Sequence, residues 1–163
     1  LGTPDAKSIL GDGYVNGNDG ARPVDDEVVA QATWRGIVGL WGNVWQMVDG
    51  LQTDEERRYR IWDAEGGKSY VSTGVKAPAS GWFHRRARKQ GEGFDMGAVF
   101  VAKKTREDRD DSAFGNYFWA WENAVAYHGG SWGDGAHAGL FCLGVYGAAS
   151  GSSSNVGGRL AKV

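Results

Sequence analysis

Apolar and polar positions in this chain change over in short runs, and the segments they define predict mostly strands. "RRYRIWDAEGGKSYV" reads as a hairpin, with strands near Tyr59 to Trp62 and Ser69 to Val71 joined at Gly66-Gly67. "FDMGAVFVAKK" predicts a buried strand, and "YFWAWENAVAYHGGSW" and "GLFCLGVYG" predict two late ones. "WRGIVGLWGNVWQMVDG" is the densest apolar stretch. Its Gly36, Gly39 and Gly42 oppose a long helix, so packed turns leading into a strand at Val44 to Val48 are expected. One segment reads otherwise. In "PVDDEVVAQATW", Pro23 suits a first helical turn, Asp25, Asp26 and Glu27 suit the positive end of a helix dipole, and Val28, Val29 and Ala32 fall on one face. Residues Leu1 to Arg22 read as turns or short edge strands, and "REDRDDSAFGN" as a charged surface loop.

Composition narrows the picture. With 163 residues, 41% of them hydrophobic, the chain can bury one sizeable core, so a single domain over residues 1–163 is expected. The 27 Gly and 8 Trp suit a loop-rich fold in which large rings fill the interior. A formal net charge of -2 gives no general attraction to nucleic acid or anionic membrane, and neither is expected as a partner. Cys142 is the sole cysteine, which excludes an internal disulfide and a multi-cysteine zinc site. No apolar run approaches the ~18 residues of a membrane span, so no membrane insertion is expected. No secretory signal is visible, and because the first residue is Leu1 this says nothing of an upstream segment.

Three stretches in order, "WRGIVGLWGNVWQMVDG", "FDMGAVFVAKK" and "GNYFWAWENAVAYHGGSWGDGAHAGLF…GGRL", carry a resemblance. From about Thr33 to Leu160 the chain resembles the variable proteins of diversity-generating retroelements. These belong to the formylglycine-generating-enzyme-like (sulfatase-modifying factor) branch of the C-type lectin fold. The resemblance implies an α+β domain: a small twisted, mostly antiparallel sheet, one or two helices and extensive ordered loops. It also implies a non-catalytic protein that recognises a protein or other macromolecular ligand on a host or target cell, placed on a virion tail or cell surface.

In such proteins a C-terminal region, here about 132–158, is copied with errors at adenines, chiefly in Asn and Tyr codons. The matching positions are Gly133, Asp134, His137, Cys142, Gly144, Tyr146, Gly147, Gly151, Ser153 and Asn155, each reachable from an Asn or Tyr codon by changing adenines alone. These ten are the expected ligand-binding residues. Trp132, Gly135, Gly139, Leu140, Phe141, Leu143, Val145 and Ala148 between them suit an anchoring role. In an extended segment neighbouring side chains face opposite ways, so burial of Leu143 and Val145 is expected to leave Cys142, Gly144 and Tyr146 in solvent. Tyr146 is the expected anchor, with Tyr117, Phe118 or Trp119 bordering the site. The four aliphatic and aromatic residues Leu140, Phe141, Leu143 and Val145 oppose the rival reading of a disordered Gly/Ser tail.

Two alternatives from the same broad resemblance are weaker. Formylglycine-generating oxidases use a pair of copper-binding cysteines, and only Cys142 is present. Where they commonly read N-x-W-E-W, this chain has Gln46 and Met47 in the last two places, which weakens a calcium site although Asn43 and Asp49 carry oxygens. Calcium-dependent sugar lectins are matched faintly by Trp132-Gly133-Asp134, without their E-P-N or Q-P-D loop or their disulfides. No catalytic residue, metal ligand or cofactor is therefore assigned. His84, His128 and His137 share no metal-ligand spacing. "HRRARK" (His84 to Lys89) could touch phosphate, but beside "REDRDD" it reads first as a solvated charged face.

Overall fold

Strands are what the alternating segments form in the computed structural model, which describes residues 33–34, 37–38, 41–42, 44–108, 117–131, 133–134, 137–139 and 142–158. In chain order they are β1 (Thr33–Trp34), β2 (Ile37–Val38), β3 (Trp45–Thr53), β4 (Arg58–Asp63), β5 (Ser69–Lys76), β6 (Gly81–Arg86), β7 (Gln90–Gly91), β8 (Phe94–Asp95), β9 (Ala102–Arg106), β10 (Tyr117–Phe118), β11 (Val125–His128), β12 (Leu143–Gly147) and β13 (Val156–Gly158). The chain divides into two compact units, one of them made of Val48–Tyr127 with Leu143–Gly151.

That unit is built on strands in the order β12-β11-β3-β4-β5, a second sheet in the order β10-β6-β9, and the short ribbon β7-β8. β3, β4 and β5 form an antiparallel meander in which Leu51 pairs with Ile61 and Ile61 with Val71. Its second turn is held by one side chain. The Asp63 carboxylate accepts the backbone N–H groups of Glu65, Gly66 and Gly67, so the loop satisfies its own donors. The first turn uses Asp54 in the same way, accepting from the N–H groups of Glu56 and Arg58 while pairing with the Arg58 guanidinium at 3.0 Å.

The core of this unit collects Leu51, Tyr59, Ile61, Phe83, Phe118 and Val145 with smaller neighbours. Phe83 stacks on Phe100 with centroids 4.8 Å apart, and Phe118 meets Tyr59 and Phe83 edge-on. The Tyr59 hydroxyl donates to the Ala102 carbonyl at 2.5 Å, which gives its buried polar end a partner; burial alone holds the phenol far above its ordinary pKa. Burying each such side chain is worth about 1.5–3 kcal/mol.

In the other unit β1 and β2 form a small antiparallel pair, and β13 runs parallel to the start of β3, Val156 opposite Trp45 and Gly158 opposite Met47. Trp41 and Trp45 are buried, in keeping with large rings filling the interior. Trp132 lies outside the described residues.

One expectation is corrected. The described residues form mostly antiparallel sheets and contain no α-helix, so an α+β C-type lectin-like fold with one or two helices is not what they build. The physical reason is that the segments after Thr33 carry period-two alternation with β-branched and aromatic residues, which favour extended backbone. The segment with helix-start signals, from Pro23, lies outside the described residues.

Candidate functional site: an aromatic row beside Tyr146

"YFWAW" alternates large aromatic positions with positions that face inward. Phe118 and Ala120 are buried, which leaves Tyr117, Trp119 and Trp121 on the opposite side of an extended segment. That segment is locked to β12: the Val145 N–H donates to the Trp119 carbonyl at 2.7 Å, and the Trp121 N–H to the Val145 carbonyl at 2.8 Å. Register then sets the neighbours. Tyr117 lies opposite Trp82 on β6, and Tyr146 projects from β12 next to the tryptophans.

The result is a continuous row of rings. Trp82 and Tyr117 meet edge-on at 5.5 Å, Tyr117 and Trp119 lie 4.8 Å apart, and Trp119 and Tyr146 are 5.8 Å apart. Tyr146 also meets Trp121 at 5.7 Å and Tyr127 at 5.4 Å. Trp121 is 59% exposed and the largest apolar surface offered to solvent among the described residues, while Tyr117, Trp119 and Tyr146 are half-buried. Rings fixed by one another lose little conformational freedom when a ligand settles on them.

Glycines make the row possible. A Cβ on Gly144 would stand 2.6 Å from the Tyr146 ring and 3.5 Å from the Trp119 Cβ. One on Gly147 would overlap the Tyr127 ring, and one on Gly151 would approach the Ala148 carbonyl oxygen to 2.9 Å. These glycines are therefore held small by their surroundings.

Of the ten residues expected to contact ligand, Gly144, Tyr146, Gly147 and Gly151 belong to this neighbourhood. Gly144 is buried, against expectation, because the Tyr146 ring lies over it. Phe118, expected at the border, points into the core instead. Trp82, Trp121 and Tyr127 were not expected. The alternation in "YFWAW" was the available signal for Trp121; Trp82 and Tyr127 are brought in by pairing, which the sequence does not display.

The other six lie in the second unit, with Gly133, Asp134 and Asn155 against Ser131. Ser131 is buried, and both its N–H and its Oγ donate to Asp134 Oδ2 at 2.6 Å. Asn155 Nδ2 donates to Ser131 Oγ at 3.4 Å, while its Oδ1 accepts from the Ser153 hydroxyl at 2.8 Å. The His137 N–H donates to the Asp134 carbonyl. Asp134 and Asn155 thus close a turn, a job that fixes their geometry. Gly133 and Ser153 are exposed, and a Cβ on Gly133 meets only Ser131 Oγ at 3.9 Å.

Cys142 is fully buried, contrary to the expectation that it faces solvent, because its N–H and carbonyl tie Gly139 and Gly129 into a tight backbone crossing. Burial first, and then the charge of Asp134, raise its thiol well above the ordinary value. It stays protonated and poorly nucleophilic. Asp49 is engaged as well: it accepts from the Tyr70 hydroxyl at 2.5 Å and from the Gly50 N–H at 2.8 Å. Asn43 lies outside the described residues.

Comparison of the chain with protein-family models, with curated proteins and with solved structures finds no match.

Proposed function

We propose that this chain is a non-catalytic binding protein that recognises a macromolecular ligand on a cell surface through the row Trp82, Tyr117, Trp119, Tyr146 and Trp121. The observation that carries the reading is the exposure of Trp121 at the end of a row whose other members are packed ring against ring. Binding sites commonly concentrate their energy in a few aromatic anchors, and Trp and Tyr are the favoured types. Ordinary surface positions do not line up five of them.

Retroelement diversification, which the sequence resemblance implies, is retained in narrowed form. Gly133 and Ser153 are the positions where new side chains meet least resistance, whereas Cys142, Gly144 and Gly147 are constrained by packing. The gene offers a direct check: an adenine-rich template copy nearby, differing at the codons for Gly133 and Ser153, supports the diversification part, and its absence removes that part alone.

The binding part is tested with labelled protein on arrays of cell-surface glycans and proteins. Trp121→Ala is expected to lower binding to any captured ligand by at least about tenfold with no loss of melting temperature. Undiminished binding by both Trp121→Ala and Tyr146→Ala overturns the assignment.

A further inference from the structure

The charged residues of "HRRARK", expected first as a solvated face, do leave Arg85, Arg88 and Lys89 exposed, and they also line a cavity. β6 and β9 pair with two breaks in register: Phe83 faces Thr105 and Arg85 faces Lys104, then Arg86 faces Ala102. His84 is the extra residue of the first break and Lys103 that of the second. In a regular strand Arg85 and Arg86 would project to opposite sides. The paired bulges re-aim them, so that His84, Arg85, Arg86 and Lys103 all line one cavity of about 770 Å³ together with Arg88 and Lys89.

Among the described residues the lining carries one sign of charge: five cationic side chains converge there, with Val75 and Phe100 as apolar wall and no carboxylate. Among the described residues no ion pair joins Arg85, Arg86, Arg88 or Lys103 to an acidic group, whereas Arg58 pairs with Asp54 and Glu56. Lys89 is braced by donating to the Thr73 carbonyl at 2.7 Å. The concentration of charge is felt locally. Desolvation, then Arg106, Lys104 and Arg85, hold His84 below its ordinary pKa. Arg106 Nη2 lies 3.1 Å from His84 Nε2 and, donating to it, leaves the proton on Nδ1, a buried atom with no hydrogen-bond partner among the described residues.

We infer that this cavity is a binding site for a small ligand carrying two or more phosphate or sulfate groups. Arginine forks match the tetrahedral oxyanion with paired N–H donors, and several together neutralise more than one such group. The volume falls in the range of small-molecule sites, roughly 300–1,000 Å³. A net charge of -2 over the whole chain supplies no long-range pull toward extended polyanions, so the local cluster acts on what fits inside it. The site is independent of the aromatic row.

The test is calorimetric titration of the full chain with inorganic tripolyphosphate and, separately, with a disulfated disaccharide, at matched ionic strength near ~0.15 M, where exposed charges are screened. One saturable site per chain is expected for at least one of the two, and the tighter probe identifies the ester. Arg85→Gln with Arg86→Gln is expected to weaken it by at least about tenfold, against no more than about twofold for Arg57→Gln with Lys68→Gln, which remove the same charge elsewhere in the unit. Circular dichroism verifies that both double variants fold. Absence of saturation with both probes overturns the inference. So does equal weakening by the two double variants, or tighter saturable binding of duplex DNA than of either probe.

Discussion

Tyr146 and Tyr127 meet edge to face, centroids 5.4 Å apart and planes at 88°, and the backbone of Gly147 fits beneath the Tyr127 ring with no room for a side chain. Replacing Gly147 by Asn therefore forces Tyr127 to move and with it the contact that orients Tyr146. A loss of about 1–3 kcal/mol is expected in urea unfolding, the usual cost of overpacking. Gly133→Asn, in open space, should stay within about 0.5 kcal/mol of the parent. Equal stability of the two variants would show that the ring is not the constraint.

Cys142→Asn places an amide where the thiol is fully enclosed. An unsatisfied buried amide costs about 1–3 kcal/mol, so this variant should be clearly less stable than Cys142→Ala. Native Cys142 should react with a thiol reagent only after denaturant is added, since both burial and the Asp134 charge disfavour its thiolate. Prompt labelling of the folded protein would contradict its placement.

Asp134→Ala removes the acceptor of two Ser131 donors, one of them a backbone N–H. The expected cost is about 1–3 kcal/mol, with faster amide exchange at Ser131 as the local signature. Unchanged exchange there would mean that the turn holds itself without the carboxylate.

Asp49 gives a pH-dependent prediction. The Tyr70 hydroxyl and then the Gly50 N–H hold its carboxyl below the usual carboxylate range. A depressed folded pKa contributes stability that is present above the unfolded value, about 3.9, and lost as pH falls through the folded one. Tyr70→Phe should thus raise the Asp49 pKa seen by carboxyl NMR, and the stability gap between parent and variant should be widest near neutrality and narrow in acid. A gap that widens in acid would have the wrong sign.

The hairpin of β4 and β5 was legible in the sequence because its alternation and its Gly-Gly turn agree; the observed turn adds that Asp63 needs both glycine N–H groups. The strand expected at Val44 to Val48 runs on to Thr53, since Gly50 continues it at φ 97° and is tied to Tyr70 rather than ending it. "FDMGAVFVAKK", expected as one buried strand, is split between β8 and β9 by a turn in which the Asp95 carboxylate accepts the Gly97 N–H. Tyr146, Tyr117 and Trp119 were singled out through the resemblance, and the structure brings their rings together. Trp82 and the basic cavity were not, because both depend on which strands pair and where their register slips, and a linear pattern carries neither.

The parallel pairing of β13 with the first residues of β3 joins segments synthesised far apart in time. Trp45 to Met47 leave the ribosome long before Val156 to Gly158 exist, and the Trp45 N–H finds its acceptor on Asn155 only then. Closing so large a loop is entropically demanding, so this contact should be among the slowest to form during biogenesis. Until it does, that edge of β3 is open to pairing with another chain, and a stalled or prematurely terminated product should be the aggregation-prone form.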